Sequence, residues 1–125
     1  MTPFHREPLA NGLIVEFFDS SNRYFGAYWR LCLEVRCRIS LAGILAGDEL
    51  EKARAACGES VDFSRRLERM GVAEEDLVTV RQATVESFLT TTRAYLENPD
   101  FPSRFVASRM AQKSKLVRFP GSYGD

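Results

Sequence analysis

A chain of 125 residues, with 17 basic and 17 acidic side chains and no formal net charge, is long enough for one domain with a real core. Its 45% hydrophobic and 27% charged residues are ordinary for a soluble globular protein and argue against disorder over most of the length. The charge balance argues against a dedicated non-specific nucleic-acid binder, which draws its affinity from a basic excess, and no apolar run approaches the roughly 20 residues of a membrane span.

Residues 1–10 read as a loose arm, because Pro3 and Pro8 lack amide donors. They hold the one histidine, His5, and no apolar signal core. A cytoplasmic protein is expected. Asn11-Gly12 is a turn pair. Residues 13–19, LIVEFFD, then read as a strand with Leu13, Val15 and Phe17 on one face and Ile14, Glu16 and Phe18 on the other. Both faces are partly apolar, so the strand is expected to be covered on both sides or to sit at a protein contact. Ser20-Ser21-Asn22-Arg23 reads as a polar link, making an antiparallel hairpin with the strand that follows.

That next strand, residues 24–41, organises the chain. From Trp29 its odd positions run Trp29, Leu31, Leu33, Val35, Cys37, Ile39, Leu41, against Arg30, Cys32, Glu34, Arg36, Arg38 and Ser40. A period of two places alternate side chains on opposite faces, here one apolar and one mostly charged. Gly26 suggests a bulge or a close backbone approach.

After Gly43 and Gly47, Asp48 is placed to cap a short helix, ELEKARAAC, that Gly58 ends. Residues 61–70 fit strand and helix templates alike. A third strand is preferred because a lone hairpin needs a partner, with Val61, Phe63 and Leu67 inward and Arg65 the exception. Residues 73–97 are the clearest helix, with carboxylates in the first turn and Leu77, Val80, Phe88, Leu89 and Leu96 expected to be buried. Asn98-Pro99 stops it. Asp100 and Pro102 then start a last helix, residues 101–114, with Phe101, Phe105, Val106 and Met110 as its apolar face and Lys113 and Lys115 near its negative end. Residues 116–125 are expected to be loose. The fold class is α+β: a single domain, with an antiparallel sheet of about three strands (13–19, 24–41, 61–70) packed on two consecutive helices.

Three constellations were weighed for chemistry. Arg23 and Arg30 frame Tyr24, Phe25, Tyr28 and Trp29, which suits base stacking or a protein contact, although aromatics are also simply favoured in strands. Arg30, Arg36, Arg38 and Arg66 share the wet face with Glu34, Glu68 and Asp62, a pattern that solvated ion pairs explain. Glu16, Asp19 and Glu34 are carboxylates without a visible acid–base partner. The cysteines, Cys32, Cys37 and Cys57, form no CxxC pair and read as free thiols. No catalytic, cofactor-binding or metal residue is assigned.

Residues 11–17 (NGLIVEF), 22–26 (NRYFG) and 67–72 (LERMGV) resemble those of small single-domain bacterial proteins without an assigned function. The likeness spans most of residues 9–110. It implies a bacterial, cytoplasmic protein and carries over no active site. The reading is therefore a non-catalytic binding or self-association module, with no cofactor and no membrane. Its partner is a second copy or another protein, and its candidate surface is Arg23, Tyr24, Phe25, Tyr28, Arg30, Arg36, Arg38 and Arg66. Two alternatives stand beside it: anion or nucleic-acid binding through the arginine-rich sheet face, and a small enzyme whose site goes unrecognised.

Overall fold

The computed structural model describes residues 2–118, with side chains to residue 112. It is an α+β structure with an antiparallel sheet of five strands, β1 (His5–Pro8), β2 (Ile14–Asp19), β3 (Asn22–Phe25), β4 (Tyr28–Ser40) and β5 (Ser60–Ala73). Its helices are α1 (Gly47–Cys57), α2 (Leu77–Glu97) and α3 (Phe101–Arg118). Contacts cluster into two units. The first holds residues up to Cys37 with Phe63–Asn98, and the second holds Arg38–Asp62 with residues from Pro99 onward.

In the first unit the apolar alternation of β4 is realised. Leu31, Leu33, Val35 and Cys37 are fully buried, while Glu34 is half-buried and Arg36 exposed. Val15 and Phe17 of β2 pair with Cys37 and Val35, which puts them on the same inner face. Phe88 of α2 meets Phe17 edge-to-face at 5.9 Å, and this contact seats the helix on the sheet. Cys32 breaks the alternation: it is an even position and fully buried.

The residues next to Cys32 overturn the expected hairpin link. Pairing of β2 and β3 with β4 keeps one register, from Val15↔Cys37 through Asp19↔Leu33 to Asn22↔Arg30 and Arg23↔Trp29. Ser20 and Ser21 are thus an interruption within one long arm, not its end. The Ser20 amide still bonds the Cys32 carbonyl at 2.9 Å, while the Cys32 amide donates to the Ser21 hydroxyl at 2.9 Å. The Asp19 carboxylate takes the Ser21 amide at 2.8 Å. A polar pair that reads as a loop is held in the ladder by its own side chains. The turn falls instead at Gly26-Ala27, where Gly26 has φ 57°. Positive φ at the first of two loop residues is what a type II′ hairpin turn demands. The register shift lies between Arg23 and Phe25.

Two strands beyond the expected three arise in this way, one from the split arm and one from the N-terminus. The supposed arm contains β1, which pairs with β2 from His5↔Phe17 to Pro8↔Ile14. Proline is tolerated there because β1 ends the strand order, where a missing amide breaks no inner ladder. The turn at Asn11-Gly12 is as expected. Asn11 also donates to the Leu96 carbonyl at 2.7 Å, meeting an acceptor left open in the last turn of α2. Arg93 bonds Glu7 at 2.9 Å and Glu97 at 3.2 Å.

Residues 61–70 are strand, within the longer β5. Val61 and Phe63 are buried, Leu67 is half-buried and Arg65 is exposed, its guanidinium over the Phe63 ring at 5.2 Å. Ahead of α2, β5 runs to Ala73 and Glu74–Asp76 form a 3-10 turn, so the helix begins at Leu77. Its buried stripe is Thr84, Val85, Phe88 and Leu96, with Leu77, Val80 and Leu89 half-buried.

The second unit contains the end of β4, the start of β5, α1 and α3. Ile39, Leu41, Ala53, Val61, Phe101 and Val106 are its buried apolar residues. The cap of α1 is Ala46, with no side-chain bond. Asp48 instead lies in the first turn, where its charge faces exposed amides. Asp100 precedes α3 directly, and its carbonyl accepts the Arg104 amide at 3.0 Å. Lys113 and Lys115 lie beyond the described side chains. Residues 116–118 continue α3, and the rest of the expected loose end lies outside the described residues.

Candidate interaction surface

The β3–β4 turn carries Tyr24, Phe25 and Tyr28 to the tip of the hairpin. They are 48%, 71% and 48% exposed, although a strand-borne aromatic ordinarily finds a core. Met70 of β5, 61% exposed, lies at the same end of the sheet: a Cβ built on the adjacent Gly71 would stand 3.9 Å from the Tyr24 hydroxyl. Sequence reasoning named the aromatics and missed Met70. The available signal was the antiparallel fit of residues 61–70 to β4, which brings the end of β5 beside the start of β4.

A clasp holds the base of this tip. The Trp29 indole N–H and the Arg23 guanidinium both donate to Glu74, at 3.2 and 2.8 Å. Arg23 also lies over the Trp29 ring at 5.6 Å. The indole bond first, then Arg23, hold the Glu74 carboxyl below its ordinary pKa. Arg23 is therefore a brace for the tip.

The remaining candidate arginines divide. Arg30 is bonded to Glu68, and Arg36 to Glu34 at 3.2 Å. Arg36 also lies over the Phe18 ring at 5.1 Å, so a charged side chain helps to cover Phe18 on this face. Arg6 meets Glu16 at 3.2 Å on the same face. In the second unit Arg38 meets Asp62 at 3.6 Å. This is a ladder of alternating charges, and each guanidinium already has its anion. Arg66 is exposed and makes no ion pair or hydrogen bond among the described residues.

A cleft of about 410 Å³ is lined by Asp19, Ser21, Trp29, Leu77, Val78 and Arg81. Asp19 is the carboxylate sequence reasoning considered for acid–base work. Burial pushes its pKa up, but the Ser21 donors and then Arg81, at 3.2 Å, outweigh that and hold it low. A carboxyl held ionised by donors lacks the proton a general acid must give. Among the described residues no cluster of three or more His, Cys, Asp or Glu side chains is placed to hold a metal ion, and no helix is long and apolar enough to cross a membrane. Compared with family models, curated proteins and solved structures, the chain finds no match.

Proposed function

We propose that this protein is a non-catalytic interaction module that self-associates through the hairpin tip formed by Tyr24, Phe25 and Tyr28, with Met70 beside it. One observation carries the reading: large apolar side chains gathered at one place in solvent, on a hairpin braced from below by Glu74. Aromatics and methionine are enriched at interface centres, and exposed apolar clusters mark contact sites. A second copy is the chosen occupant because the overall charge is balanced and the rim holds a paired Arg23 and Glu74. A two-fold contact sets like surface against like, which a single-sign rim would oppose. Cys32, Cys37 and Cys57 are outside any disulfide, which suits a reducing compartment and so supports the cytoplasmic reading. The resemblance to bacterial proteins without an assigned function belongs to the same proposal.

Light scattering on the wild type and on Phe25→Ser tests it. The wild type should gain mass with concentration and the variant should stay monomeric at every concentration. A wild type that is monomeric throughout would reject self-association.

A further inference from the structure

Among the described residues, arginines elsewhere in the chain are matched to an oxygen acceptor. Arg6, Arg23, Arg30, Arg36, Arg38, Arg54, Arg81, Arg93 and Arg104 each meet a carboxylate, and Arg109 donates to the Asp62 carbonyl. Arg65, Arg66 and Arg69 have no such partner, and they fall within five consecutive residues of β5. The three line a groove of about 380 Å³ between β5 and α2. Its floor is Leu67 and the buried Phe88, Ser87 adds a hydroxyl without a hydrogen bond among the described residues, and the one carboxylate in the lining, Glu68, is neutralised by its bond to Arg30.

From this we infer that the groove binds a small organic anion, a carboxylate or phosphate ester with an apolar body. Strand alternation puts Arg65 and Arg69 on the same side as Leu67, about 13 Å apart along the backbone. Arg65 rests over the Phe63 ring in the free groove, and on leaving it both guanidinium side chains are long enough to converge on one anionic group, their planar forks suiting carboxylate and phosphate oxygens. The volume falls in the usual range for small-ligand sites, in which a few polar groups fix a ligand on an apolar floor. Arg65 and Arg69 also explain why β5 is not the self-association edge: two copies paired along it would bring unmatched cations together. The ligand site and the hairpin tip are separate surfaces.

The probe is phenyl phosphate, followed by amide and arginine side-chain NMR at low salt, with benzyl alcohol as the neutral control. Saturable shifts should centre on residues 65–69 and 84–92. Arg65→Gln/Arg69→Gln should bind at least ~10-fold more weakly, since each charge-assisted bond is worth about that factor. The double variant breaks no ion pair or hydrogen bond among the described residues, Arg65 giving up only its place over the Phe63 ring, and a cooperative melting transition checks that it folds. Phe25→Ser should bind the probe like the wild type, which separates this site from self-association. The inference is overturned by an absence of saturable shifts, by equal binding of benzyl alcohol, or by undiminished affinity in the folded double variant.

Discussion

At Asp19 one carboxylate holds both the Ser21 amide and an ion pair with Arg81. Its pKa is depressed in the folded state by Ser21 and Arg81 against the opposing effect of burial. A depressed carboxylate contributes stability above its unfolded pKa, about 3.9 for Asp, and loses it as pH falls through the lower folded value. Asp19→Asn should therefore be less stable than the wild type at neutral pH, with the gap closing below about pH 4; urea unfolding across pH reads it. Gly26 is a second single-residue dependence. Space around it is open, so Gly26→Ala is penalised by its positive φ alone, about 1–2 kcal/mol in the same assay. The role of Gly26 was only half legible. Glycine signalled unusual backbone, but it took the register of the whole arm to show a turn there rather than a bulge.

Among the elements, β4 was the most readable, because six apolar residues at alternate positions, from Trp29 to Ile39, admit one periodicity. Cys32 departs from it on the opposite face, where it and Phe18 are both buried. β1 was illegible because proline marks a strand as improbable in general yet is harmless at a sheet edge. In α2 Phe88 and Leu96 are buried as expected, Leu77, Val80 and Leu89 are half-buried, and Thr84 and Val85 complete the buried stripe. Thr84 is buried because its hydroxyl bonds the Val80 carbonyl at 2.7 Å, which removes the cost of burying it. Packing of this helix on the sheet rests on Phe17 and Phe88, so Phe88→Ala should cost about 3–5 kcal/mol by denaturant unfolding. The arginines of β5 should behave oppositely. Arg66→Gln and Arg69→Gln forfeit no ion pair and should leave stability within about 0.5 kcal/mol.

For the whole molecule, the strand and helix patterns taken together indicated the α+β class, and the ion pairing on the charged sheet face was legible for Arg30, Arg36 and Arg38 but not for Arg66. Matching depends on which strands lie side by side, and the sequence left β5 open between strand and helix. The tip aromatics were nameable from residues 24–28, yet their exposure was not, since most strand aromatics are buried. Their exposure is what gives the proposed association its location. Amide hydrogen exchange, compared between dilute and concentrated protein, examines that location directly. Protection should rise with concentration at residues 22–28 and around Met70, and stay unchanged at residues 65–69. Exchange that is independent of concentration, or that slows along β5 instead, would contradict association through the tip.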